Sequence, residues 1–382
     1  MTQKLPQKHQ SPNHKNSAMK KRIAFIGAGA IGGYVGGQLA RNGHDVTLID
    51  PWPAHIEAIR ANGLEITGIT ADERCVVKPN TMHLTEVQSL SKQKPVDIAF
   101  VSVKSYDTEW ATMLINAYLA ADGYVVSLQN CINEERIAGI VGWGKTLGCI
   151  AARLAADLYE PGKILRTSPK GSDVNGNTVF YVGEVHGRPT RRVQELANML
   201  GAIDTVTLTP NLWEERWAKL CVNAMRNGAS AATGLSGIDR DRHDAVRRFC
   251  IRLGGEAVRI GQAQGYELGY IGFLNPERLA LASEGDRIAL AEIEAVMVAG
   301  TNDGKSELQR PSMGQDMLKG RRTEIDYING FVVQKGREVG KAAAANAFLT
   351  GLVRQVERGE IPARPENLTG PEAWVGSPIA AG

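Results

Sequence analysis

Arg22-Ile23-Ala24-Phe25-Ile26-Gly27-Ala28-Gly29-Ala30-Ile31-Gly32 joins a short apolar run to a glycine turn, and helix-compatible residues follow as far as Asn42-Gly43. The run predicts a buried strand, the stretch after it a helix, and Gly43 the C-cap of that helix. Asp45 to Ile49 predicts a second strand, closed by Asp50. Strand, glycine turn, helix and strand within about thirty residues make a βαβ unit. In such a unit Gly27 permits the tight turn, Gly29 lets the backbone approach a pyrophosphate, and Gly32 lets the helix close on the strand. The N-terminus of the helix then presents unpaired N–H groups to phosphates. Gly27, Ala28, Gly29, Ala30, Ile31 and Gly32 are therefore the expected dinucleotide-binding residues. A glycine-rich packing turn is the other reading, but the strand before it and the acid-ended strand after it favour a nucleotide.

Asp50 bears on which nucleotide. A carboxylate at that strand end accepts both ribose hydroxyls of NAD and repels the 2′-phosphate of NADP. Pro51-Trp52-Pro53-Ala54 brings no arginine or lysine to offset such a phosphate. NAD is expected over NADP, with an ordinary strand-end turn residue as the alternative for Asp50.

Further along, Pro95 to Val103 and Tyr124 to Leu128 predict two more buried parallel strands. From Leu147 to Glu184 the apolar runs are broken by Glu160-Pro161-Gly162 and Asn175-Gly176-Asn177, which predicts hairpins added to the same sheet. After Pro210 the pattern becomes helical to about residue 358. The expected fold is an α/β Rossmann dinucleotide-binding domain over 21–210, then an all-helical domain over 211–360 for substrate and dimer contacts. Residues 1–20 read as a disordered leader. The tail over 361–382, with Pro362, Pro365, Pro371 and Pro378, reads as an extended strap or disordered.

The bulk figures agree with a globular enzyme. The chain has 382 residues, enough for two or three domains, with ordinary apolar and charged content. Its net charge of +3 is carried by lysines before Arg22, so no basic face for nucleic acid is implied. No apolar stretch approaches the roughly 20 residues that span a bilayer. Cys75, Cys131, Cys149, Cys221 and Cys250 are scattered, with no C-x-x-C pair. That argues against a disulfide framework or a zinc site, predicts no metal, and fits the reducing cytoplasm.

Lys219, Asn223 and Asn227 stand four apart on one helical flank, drifting about 40° per step. Two asparagines inside a helix oppose propensity, so a tertiary role competes with a solvated polar stripe. Ser312-x-x-Gln315 has the form of a capping box. Asn130 and Lys104 follow predicted strand ends, where open α/β sheets bind ligands.

Four segments together resemble the ketopantoate reductase family across about 340 residues. They are the glycine turn; Val101-Ser102-Val103-Lys104 with the later Leu128-Gln129-Asn130; Trp217 to Asn227; and Ser312-Met313-Gly314-Gln315-Asp316 with Arg322 to Gly330. The resemblance implies a Rossmann domain and a helical domain like that of 6-phosphogluconate dehydrogenase. It implies hydride transfer between a nicotinamide cofactor and a small 2-oxo or 2-hydroxy acid. Lys219 would give the proton to the substrate carbonyl, and Glu324 would be its acidic partner. For Glu324, an acid paired with Arg321 or Arg322 is the alternative. Asn130, Asn223, Asn227 and Ser312 would hold substrate, with Asn130 and Lys104 also lining the cofactor side. A homodimer through the helical domain is expected on base rates.

Two departures sit on the cofactor side. The family usually has glycine where this chain has Cys131, and its NADPH-using members place a basic residue just beyond the second strand, where this chain has Asp50-Pro51. An NAD-dependent D-2-hydroxyacid dehydrogenase is therefore the nearest alternative. A non-catalytic NAD-binding regulator is a remoter one, with no use for Lys219 and Glu324 together. A reductoisomerase would need a carboxylate cluster for magnesium, and a 6-phosphogluconate-type enzyme a substrate-phosphate motif; the sequence offers neither.

Overall fold

The computed structural model describes residues 21–171, 178–301 and 310–379. The expected leader and the Asn175-Gly176-Asn177 turn lie outside them. The first half runs β1 (Arg22–Ile26), α1 (Ala30–Arg41), β2 (Asp45–Asp50), α2 (Pro53–Asn62), β3 (Leu64–Thr67), β4 (Cys75–Val77), β5 (Asn80–His83), β6 (Val96–Val101) and α3 (Thr108–Asn116). It continues through β7 (Leu119–Ser127), α4 (Glu134–Val141), β8 (Thr146–Ala151), β9 (Ala156–Glu160), β10 (Lys163–Arg166), β11 (Phe180–Glu184), α5 (Arg191–Gly201) and β12 (Val206–Leu208).

Eight strands form one sheet in the order β12-β11-β8-β7-β6-β1-β2-β5. From β5 to β8 every pairing is parallel; β11 then runs antiparallel to β8. The middle strands are buried on both faces, which is why they read as unbroken apolar runs. Phe25 and Phe100 stack across the β1–β6 pair with ring centroids 4.4 Å apart. The chain passes outward from β1 to β2 and β5, then returns to β6 on the other side. That reversal opens a crevice at the carboxyl ends of β1 and β6, the place where such sheets bind ligands.

The expected hairpins partly join this sheet. β8 pairs with β11 in it, but β9 and β10 leave to build a second sheet, β4-β3-β10-β9. The cause lies on α1. A Cβ on Gly36 would strike Leu48 and Phe25 of the large sheet, while one on Gly33 or Gly37 would strike Ile164 or Ile66 of the small one. A helix with glycine on two faces is packed from both sides, so a second layer is required.

The helical half follows as α6 (Leu212–Thr233), α7 (Gly237–Arg242), α8 (Asp244–Ala263), α9 (Pro276–Ser283), α10 (Arg287–Ala299), α11 (Ser312–Leu318), α12 (Asn329–Glu338), α13 (Ala344–Glu357) and α14 (Glu366–Thr369). Its core gathers around α6 and α8, where the Trp217 indole donates to the Ala257 carbonyl at 2.9 Å. The proline-rich tail is a packed strap as far as residue 379. Leu368 and Ala373 are buried, the Asn367 amide donates to Ala232 of α6, and Arg252 of α8 donates to the Ala373 carbonyl. No helix among the described residues is long and apolar enough to cross a membrane.

Candidate active site

A cavity of about 840 Å³ lies where the crevice of the large sheet meets α6, α7, α10 and α11. Gly27, Gly29, Ala30, Ile31, Asp50, Lys104, Asn130, Lys219, Asn223, Asn227, Ser312 and Glu324 all line it. Of the expected site residues only Ala28 and Gly32 stand behind the wall. The sequence-distant elements therefore converge as the resemblance implied, although several side chains have partners that it did not foresee.

The glycine turn is built as its sequence predicts. Gly27 has φ +99°, and a Cβ there would lie 2.7 Å from the Val103 nitrogen. A Cβ on Gly32 would come 2.2 Å from the Gly27 carbonyl and 2.4 Å from the Ser102 hydroxyl, so α1 is held against the end of β6. A Cβ on Gly29 would meet nothing within 4 Å. That open space faces the cavity at the start of a twelve-residue helix, which fits the pyrophosphate of a dinucleotide.

Asp50 closes β2 and accepts the Ala28 N–H at 2.7 Å on one oxygen and the Trp52 N–H at 2.9 Å on the other. Each oxygen keeps a further lone pair, so the turn role leaves both free to accept hydroxyl donors from a ligand. The expectation that nothing cationic stands nearby holds for the local sequence but not for the folded site. Arg321, from the helical half, lines the same cavity with its guanidinium 5.5 Å from the centre of the Trp52 ring. His55, on α2, is buried and fully satisfied: it lies 2.9 Å from the Ala28 carbonyl through Nε2 and accepts the Gly162 N–H at Nδ1.

Lys219 stands on α6 and donates to the Ala152 carbonyl just beyond β8 at 2.9 Å. Burial first, then the nearby cations Arg226 and Arg153, pull its pKa down to about 8. The helix is set in place by Arg216, which ion-pairs with buried Glu134 at 2.5 Å and donates to the Ser127, Gln129 and Cys149 carbonyls. Four residues on, the Asn223 amide reaches the Asn130 side-chain oxygen at 3.4 Å. Asn227 is buried on the same cavity wall.

Glu324 does not pair with Lys219, nor with Arg321 or Arg322. It accepts the Ser105 N–H at 2.9 Å and the Ser105 hydroxyl at 2.8 Å, and lies 3.4 Å from Lys104. Lys104 also meets Asp316 at 2.5 Å. Burial works to lower the Lys104 pKa, but the carboxylates of Glu324 and Asp316 overcome it and hold the ammonium well above the ordinary lysine range. Lys104 thus clasps the Rossmann half to the helical half with a permanent charge, opposite in character to Lys219.

Ser312 is not the cap of α11. Pro311 takes the extended N-cap conformation, with φ −55° and ψ 158°, and Gln315 donates instead to the Arg310 carbonyl. Ser312 is already helical, and its hydroxyl is buried without a hydrogen-bond partner among the described residues. Cys131 has φ +67°, the single positive φ outside glycine among the described residues. That is the conformation in which glycine is least strained, so the departure from the family pattern falls on a position with a backbone reason for glycine.

Comparison with known proteins identifies the family. The family described as ketopantoate reductase PanE/ApbA matches residues 23–179, and its C-terminal counterpart matches residues 211–357. The 2-dehydropantoate 2-reductase of Archaeoglobus fulgidus is 30% identical over 341 residues, spanning 89% of this chain and 99% of that protein. That of Pyrococcus horikoshii is also 30% identical, over 88% of this chain and 97% of its own. A PanE/ApbA family ketopantoate reductase structure from Ralstonia eutropha superposes with a TM-score of 0.70 at 26% identity, covering 89% and 99% of the two chains. D-mandelate dehydrogenase solved with NADH and anilino(oxo)acetate shares the fold, with a TM-score of 0.72 at 24% identity over 88% and 98%. The chain belongs to the ketopantoate reductase PanE/ApbA family of nicotinamide-dependent oxidoreductases.

Proposed function

We propose that the cavity takes NAD(H) and a small acid together, and that the protein interconverts a 2-oxo acid with its 2-hydroxy acid as 2-dehydropantoate 2-reductases do. The observation that carries this reading is Lys219, half-buried on the wall of the dinucleotide cleft, its pKa brought down to about 8 chiefly by desolvation. A bound nicotinamide would supply or accept the hydride. The Lys219 ammonium hydrogen-bonds the carbonyl oxygen and gives up its proton as that oxygen gains charge; a donor tuned near neutrality does this best. Asn130 and Asn223, already within reach of each other, orient the carbonyl and carboxylate. Asn227 and Ser312 extend the polar wall. Glu324 acts through Ser105 and Lys104 as a positioning residue, holding the loop after β6 against α11.

Asp50 favours NAD(H), and with it the reading as an NAD-dependent D-2-hydroxyacid dehydrogenase. The NADH named in the D-mandelate dehydrogenase structure is consistent with that choice. A panel of 2-oxo acids followed at the nicotinamide absorbance with both cofactors tests the proposal. NADH should exceed NADPH in kcat/KM by about tenfold or more, the scale of one lost charge-assisted hydrogen bond. Asp50→Ala should narrow the gap by weakening NADH, and Arg321→Ala should widen it by removing the cation open to a 2′-phosphate. A tenfold preference for NADPH would overturn the reading of Asp50 and favour 2-dehydropantoate itself. No turnover of any 2-oxo acid would overturn the function.

A further inference from the structure

The cavity continues past the reacting end, where two arginines meet one carboxylate, Asp241, among the described residues. Arg226 stands seven residues after Lys219 on α6, on nearly the same face and about 10 Å further along the axis. Its side chain lines the cavity and has no hydrogen-bond or ion-pair partner among the described residues. Burial, then the like charge of Arg240, lowers its pKa, and the Asp241 carboxylate offsets them only in part. Arg240, on α7, also lines the cavity. One side of its guanidinium pairs with Asp241, at 2.7 and 2.8 Å, while Nη1 is buried without a partner. The unpartnered Ser312 hydroxyl belongs to the same end, since Gly314 of α11 packs against Ser230, eleven residues beyond Lys219.

Buried donors left unsatisfied are expensive, and unbalanced buried charges more so. Arg240 brings a buried N–H without a partner and Arg226 a half-buried guanidinium without one, both on the wall of one cavity; an anion beside them relieves both, a neutral group only marginally. The 2-oxo acid's own carboxylate is one bond from the reacting carbonyl carbon, so it stays beside Lys219, Asn130 and Asn223. Two helical turns further on, Arg226 is placed for something else.

We infer that Arg226, with Arg240, forms a subsite for a second, distal anionic group, so that the preferred substrate is a 2-oxo acid ending in a carboxylate or a phosphate. This rests on the function proposed above, and its test separates the two. Chain-matched acids are compared under NADH: 2-oxopentanoate against 2-oxoglutarate, with 2-oxoadipate for length and 2-oxo-4-phosphonobutanoate for the phosphate arm. At least one anion-ended acid should exceed 2-oxopentanoate in kcat/KM by about tenfold or more. Arg226→Met should remove that advantage, read as the ratio of the two acids' kcat/KM because losing this cation also raises the Lys219 pKa for both, and Arg226→Lys should restore part of the ratio.

Calorimetric titration of the NAD-loaded protein with glutarate and with pentanoate reads the subsite without any turnover. Glutarate binding that depends on Arg226, in a protein that reduces no 2-oxo acid, would uphold the subsite and remove the proposed reaction. Equal binding of glutarate and pentanoate, or an equal loss for both in Arg226→Met, would overturn the subsite; the second result would put Arg226 on the reacting carboxylate.

Discussion

Replacing Lys219 by Met lowers kcat for 2-oxo acid reduction by at least about 100-fold, the lower end for a lost general acid. NADH affinity, measured by fluorescence titration, stays within about threefold, because the cofactor end of the cleft lies at the glycine turn and Asp50. The same variant should melt higher than wild type at pH 7. Folding lowers the Lys219 pKa from 10.5 to about 8. Below the folded value both states are charged and the fold bears the whole penalty, of order 3 kcal/mol. As pH rises from about 8 toward 10.5 the folded state sheds its proton first, so that penalty fades. The excess stability of Lys219→Met is therefore largest below pH 8 and disappears at high pH. A variant both inactive and more stable cannot owe its inactivity to misfolding. Retention of most of kcat would show that another group donates the proton.

The second large effect separates two glycines of one turn. Gly29→Val places its Cβ where no heavy atom beyond the adjoining residues lies within 4 Å, so the melting temperature should change little. It fills the room where a pyrophosphate meets the backbone, and an overpacking cost of about 3 kcal/mol there weakens NADH binding by about 100-fold. Gly32→Val does the reverse. Its Cβ would have to displace the Gly27 carbonyl, 2.2 Å away, and the fold should lose about 2 kcal/mol or more before any ligand is added. Thermal melts beside NADH titrations check both. Equal melting losses in the two variants would mean that Gly29 is only a packing glycine.

Periodicity and turn chemistry made much of this architecture legible. The strand before Gly27, the acid closing β2 and the helical pattern after Pro210 are local signals, and the structure keeps them. The small second sheet was hidden because its demand is written on the opposite faces of α1, as glycines whose neighbours come from elsewhere in the chain. Glu324 illustrates the same limit. Its residue type and segment marked a site, but its partners Ser105 and Lys104 lie more than 200 residues away in sequence. Ser312 failed for a local reason, since a capping-box pattern cannot show that Pro311 already holds the cap position. Arg216 and Arg240 left no periodic trace; Arg226 did, seven residues after Lys219 and next to Asn227, and the spacing could have singled it out.

Lys219, held near neutrality by burial and by its cationic neighbours, moves the proton. The pH dependence of kcat/KM, measured in both directions, tests it most directly. Reduction needs the protonated lysine, so its rate should be level below pH about 8 and fall roughly tenfold per pH unit above it. Oxidation of the 2-hydroxy acid needs the neutral lysine, so it should rise with pH and level off above about 8. Reduction that continues unchanged to pH 10, or the same profile in Lys219→Met, would show that Lys219 does not move the proton.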